Sequence, residues 1–109
     1  MALKANTTAE TTTQVLADRG LKVIASVRES PGATDLAIRN RSAQIVVRCV
    51  ESPSESDHNA LRMMLTEGDF DRAFLVHTGD ETDLTGDIQT WPLSRIDELA
   101  ALLARESAP

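Results

Sequence analysis

Residues 32–50, G-A-T-D-L-A-I-R-N-R-S-A-Q-I-V-V-R-C-V, decide how the rest of the chain is arranged. From Thr34 to Asn40 the residues alternate, with Leu36 and Ile38 on one face and Asp35, Ala37 and Arg39 on the other. That is the pattern of a half-buried strand. Asn40-Arg41-Ser42 closes a hairpin. Residues 43–50 follow as an apolar run with Arg48 as its one charged residue, which predicts a central strand covered on both faces. A carboxylate, Asp35, therefore stands at the head of one strand beside an apolar central strand that carries a guanidinium.

Working outward, residues 8–19 are expected to form a helix. Ala9, Val15 and Leu16 share a face, and Gly20 supplies the stop. Residues 21–29 read as a strand, with Leu21, Val23, Ala25 and Val27 pointing one way and Lys22, Ser26 and Arg28 the other. Ser30-Pro31-Gly32 is a turn. Beyond the central strand, Ser52-Pro53-Ser54 breaks the extended run. Residues 55–67 form an amphipathic helix whose stripe is Ala60, Leu61, Met64 and Leu65, ended by Gly68. Residues 72–78 are a second buried strand, and its position after a helix predicts a β-α-β crossover with parallel pairing. An acidic loop, 79–86, leads to a short strand, 88–91, stopped by Pro92. The last helix, 94–105, places Ile96, Leu99, Ala100 and Leu103 at helical spacing, with Ser94 as the expected cap. The expected order is α-β-β-β-α-β-β-α, an α/β fold with a mixed central sheet flanked by helices. Residues 1–7 are expected to be a flexible leader, 8–105 a single domain, and 106–109 a frayed tail.

The 109 residues suffice for one domain with its own core. Aromatic residues are 3% of the chain and Tyr is absent, so that core must be aliphatic. The net charge of −6 disfavours sequence-independent binding to a phosphate backbone. The single Cys49, set in an apolar strand, suits a buried thiol in a reducing compartment. No apolar run approaches a membrane span, and the N-terminus lacks the apolar segment of a secretory signal. A cytoplasmic protein without membrane contact is expected.

In order and spacing these elements resemble the PD-(D/E)xK restriction-endonuclease-like fold, and are most similar to its Mrr-type branch. The similarity runs from about Glu10 to Leu103. Glu10 stands where that branch carries an acid in its first helix. Gly32-Ala33-Thr34-Asp35 resembles its G-x-D element with one extra residue. Ile45-Val46-Val47-Arg48-Cys49-Val50 resembles the strand that ends in (E/Q)-x-K. Leu75-Val76-His77-Thr78-Gly79 resembles the later strand and its turn. The resemblance implies a site in which the Asp and the Glu or Gln hold a divalent ion and the Lys assists the attacking water. Such chemistry needs an oxygen-rich pocket for a hard cation and a positive group near the nucleophile.

The chain departs from that pattern at two positions. Arg48 stands in place of the second acid and repels a cation. Val50 stands in place of the Lys and cannot assist a water. Strand parity puts both on one face, and the lysines present are Lys4 and Lys22. The expected function is therefore a non-catalytic nuclease-like domain, with Asp35 and Glu10 as remnant site positions, no metal and no cofactor. It would serve as an interaction or nucleic-acid-associated module, with a protein partner or self-association. The alternative is a divalent-metal-dependent DNA endonuclease that uses Mg²⁺ at a rearranged site built on Asp35, Glu10 and Lys22. Asp35 itself has two readings, a metal ligand or a cross-strand partner of Arg48.

Other residues carry weaker signals. Arg28, Arg39 and Arg41 lie on or at the tip of the hairpin and could form a basic nucleic-acid-binding patch or the charged guard of a sheet edge. His77 ends a buried strand, where a hydrogen-bonded structural role is the bland reading. His58 reads as a surface residue. Asp80, Glu81, Asp83 and Asp87 lack the alternating spacing of an EF-hand loop and read as a solvated turn. Cys49 points away from the Arg48 face and reads as core.

Overall fold

The computed structural model describes residues 7–30, 33–40 and 42–106. Most of the expected leader, the Pro31-Gly32 turn, Arg41 and the last residues of the tail lie outside that range. The elements are α1 (Thr7–Asp18), β1 (Lys22–Ser30), β2 (Ala33–Asn40), β3 (Ala43–Val50), α2 (Glu55–Thr66), β4 (Arg72–His77), β5 (Gln89–Pro92), a 3-10 turn (Leu93–Arg95) and α3 (Ile96–Glu106). The five strands form one mixed sheet in the order β1-β2-β3-β4-β5. β1, β2 and β3 pair antiparallel, while β4 is parallel to β3 and β5 parallel to β4. The parallel β3–β4 pair is possible because α2 carries the chain back between them.

Both faces of the central strand are buried, as its composition requires. One face joins Ile45, Val47 and Cys49 to Leu36 and Ile38, Phe74 and Val76, Ala9 and Leu16 of α1, and Leu99, Ala100 and Leu103 of α3. The other joins Val46 and Val50 to Ala33, Ala73, Leu75, Ile88 and Leu61 of α2. The sheet thus lies between α1 and α3 on one side and α2 on the other. Burying a side chain such as Leu36 or Phe74, each fully enclosed, contributes roughly 2 kcal/mol.

Helices α1 and α2 end alike. Gly20 has φ +80° and Gly68 φ +82°. Leu21 N–H reaches back to the Leu16 carbonyl at 3.0 Å, and Asp69 N–H to the Met64 carbonyl at 3.3 Å. These are six-to-one bonds that a left-handed glycine makes possible.

Two expectations are corrected. The alternation of β1 does not persist. Val23 lies opposite Ile38 but Ala25 lies opposite Ala37, leaving Ile24 as a bulge. Residues directly opposite share a face, so Val23 faces α1 and α3 while Ala25 and Val27 face the other way. The extra residue moves half the apolar set to the solvent side, where Ile24 is 49% and Val27 50% exposed. Nor does Ser94 cap the last helix. It lies inside the 3-10 turn that Pro92 opens without a side-chain capping bond. Arg95, in that turn, lies over Trp91 at 5.3 Å and forks Glu98 at 2.8 and 2.9 Å.

Candidate functional site

The site is built from three elements. Asp35 lies directly opposite Arg48 in the β2–β3 ladder, so their side chains leave the sheet side by side on the α2 face. Arg48 Nε donates to Asp35 Oδ1 at 2.7 Å and Nη2 to Oδ2 at 3.0 Å. The third guanidinium nitrogen, Nη1, donates to Asp57 Oδ1 at 3.2 Å. Asp57 is the third residue of α2, and its other oxygen accepts Ser54 N–H at 2.9 Å and Ser54 Oγ–H at 3.0 Å. The Asp57 N–H in turn reaches Ser54 Oγ at 3.4 Å, completing a capping box.

All three charged residues are buried, Asp35 to 6%, Arg48 to 7% and Asp57 to 8% exposure. Hydrogen bonding to Asp35 chiefly holds the Arg48 guanidinium above its usual pKa. Burial opposes this, and Asp57 adds to it. Two carboxylates against one guanidinium leave one negative charge in excess. Asp57 carries it in the first turn of α2, where the helix dipole favours an anion.

The site residues expected from the sequence separate on the structure. Asp35 and Arg48 come together. Val50 turns to the same face and packs with Ala33, Val46 and Leu61 as part of the core. Glu10 is exposed on α1, which packs against the opposite face of the sheet. It does not join Asp35, and that part of the expected constellation is corrected. Arg28 pairs with Thr34 and Arg39 with Lys22. They occupy opposite faces and lie far apart along the hairpin, so the two do not form one patch, and Arg41 is outside the described residues. Asp57 and Ser54 were missed. Their S-x-x-D spacing at residues 54–57 is a capping signature, but nothing local in it shows that the acid is also the counterion of a residue in the preceding strand.

The fit of a divalent ion can be judged from the donors. Both oxygens of Asp35 are held by Arg48, and those of Asp57 are divided between Arg48 and Ser54. Val50 offers nothing. These residues do not fit Mg²⁺, which demands near-octahedral oxygen ligation. Among the described residues no group of three His, Cys, Asp or Glu is placed to hold a metal. A depression of about 360 Å³ beside the α2 N-terminus is lined by Ala33, Val50, Glu51, Ser54 and Asp57, among others. Its charged walls are acidic, which disfavours a phosphate.

The remaining candidates have structural occupations. His77 Nδ1 accepts Gly79 N–H at 3.0 Å, so Nε2 carries the proton that it donates to the Glu81 carbonyl at 2.6 Å. His58 Nδ1 donates to the Ser54 carbonyl at 3.1 Å, and its Nε2 accepts from Thr90 Oγ at 3.3 Å. In the acidic loop, the Thr85 N–H and hydroxyl bind the Asp83 carboxylate and lower its pKa, and Arg62 does the same for Asp87. Cys49 is fully buried, and desolvation pushes its thiol up to about 12, with the Thr12 hydroxyl opposing the shift.

Comparison of the chain with family models, curated proteins and solved structures finds no match. The small α/β domain, with its five-stranded mixed sheet and three helices, stands on its own geometry. None of its described helices is long and apolar enough to cross a membrane.

Proposed function

We propose that this chain is a non-catalytic nuclease-like domain that works by binding another macromolecule. One observation carries the reading: the Arg48 guanidinium lies between Asp35 and Asp57, within 2.7–3.2 Å of both. The protein's own cation occupies the place where the PD-(D/E)xK resemblance puts a metal ion. The order of elements supports the resemblance, since three antiparallel strands feed a helix and then a parallel strand. Asp35 near the head of β2, opposite β3, is where that resemblance places the first acid. The buried thiol of Cys49 is consistent with a reducing, cytoplasmic setting.

The test is incubation of the protein with supercoiled plasmid and with single-stranded DNA in Mg²⁺ or Mn²⁺. No cleavage and no heat of metal binding are expected. Robust nicking that vanishes in Asp35→Ala would overturn the reading and restore the rearranged endonuclease.

A further inference from the structure

The two faces of the sheet are covered unequally. Helices α1 and α3 cover one face, whereas on the other α2 packs on β3 and β4. His58 and Arg62 on one flank of α2 reach Thr90 and Asp87 toward β5. By helical periodicity Ala60 and Met64 lie on the other flank, toward β2 and β1, while Met63, 61% exposed, points away from the sheet. The bulge at Ile24 turns Ala25 and Val27 onto this bare face, beside Ala37 of β2. Lys22 and Arg39 stand directly opposite one another at its end. Like charges so placed repel, and neither has an ion-pair partner among the described residues.

We infer that this uncovered strip of β1 and β2 is the docking site for an amphipathic helix of a partner protein, apolar on one face and acidic near one end. Because of the bulge, the stretch from Val27 to Lys22 runs alongside Asp35 to Arg39 of β2, roughly 13 Å, which matches about two and a half helical turns. A helix laid there would cover Ala25, Val27 and Ala37. The paired cations select the acidic end. A second copy of this chain fits less well. In a second copy Asp35 is held by Arg48 and so does not supply the acid that Lys22 and Arg39 would meet. An anionic lipid surface is disfavoured by the net charge of −6.

The inference rests on the reading of the domain as a binding module. DNA cleavage would overturn that reading while leaving the following titration to be judged by itself. The full chain, ¹⁵N-labelled, is titrated with two synthetic helical peptides that share a Leu/Ala face and carry either Glu or Lys on the polar face. The Glu peptide is expected to shift the amides of Ala25, Val27 and Ala37. Its affinity should fall at least about tenfold in Lys22→Glu/Arg39→Glu, and that variant should favour the Lys peptide. Val27→Asp should weaken both, while thermal melts show each variant folded. The inference is overturned if the Glu peptide leaves those amides unmoved, or binds the charge-reversed variant equally well. It is also overturned if the same amides respond instead to protein concentration, which identifies a second copy, or to phosphatidylglycerol vesicles, which identifies lipid.

Discussion

Arg48 and Asp35 form a two-pronged ion pair across neighbouring antiparallel strands, at 2.7 and 3.0 Å, with both residues more than nine-tenths buried. The ladder dictates the contact, because directly opposed residues leave the sheet on the same side. A guanidinium matches a carboxylate in this geometry as a lysine cannot. Arg48 also serves Asp57, so the two partners are not equivalent. Arg48→Met strands two buried carboxylates, whereas Asp35→Asn leaves the guanidinium with one. Chemical denaturation should show a loss of about 3 kcal/mol or more for Arg48→Met and a smaller loss for Asp35→Asn. The double variant should cost less than the two losses together. Equal losses, or strict additivity, would mean that the three groups are not coupled.

Ser54 joins this charge cluster to the start of α2. Ser54→Ala removes the cap hydroxyl and is expected to cost about 1 kcal/mol. Asp57→Asn weakens the cap and also removes one of the two acids around Arg48, so it should cost more than Ser54→Ala. A thermal-shift series ranks the two. The reverse order would show that Asp57 matters only as a cap.

Cys49 makes stability sensitive to alkali. Its folded pKa of about 12 lies above its ordinary value of 9.0 because burial disfavours the thiolate. The folded state therefore keeps its proton while the unfolded chain loses it. The stabilisation is fully present below pH 9.0 and is lost as pH rises toward about 12, at up to ~1.4 kcal/mol per pH unit. With no Tyr in the chain, few other groups titrate in that window. Urea midpoints measured from about pH 8 to about pH 11 should fall more steeply for the parent than for Cys49→Ala. Parallel slopes would remove the thiol from the explanation.

Gly20 and Gly68 hold the left-handed backbone that ends α1 and α2. A methyl group at either site meets no atom within 4 Å, so the cost of Gly20→Ala or Gly68→Ala is conformational rather than steric. Each should lose about 1 kcal/mol. Asn, which tolerates this region better, should lose less than Ala when the same denaturation curves are compared.

Much of the fold was legible in the chain itself. Hydrophobic period is a local property. It placed β3 at the residues it occupies, matched α2 and α3 within a residue or two, and marked Ile96, Leu99, Ala100 and Leu103 as one buried stripe. It also set Asp35 and Arg48 within reach of each other, because a tight hairpin and strict alternation leave few registers. What no local pattern could carry was long-range. The bulge at Ile24 reverses the faces of β1, and it can be recognised only against the register of β2. The layer on which α1 packs removes Glu10 from Asp35, and that depends on how the whole sheet is covered. Asp57 becomes a counterion only when α2 folds back over β3, nine residues along the chain from the arginine it neutralises. A charge cluster of this kind is fixed by packing in space, since desolvation forces buried ions to find partners wherever the fold brings them.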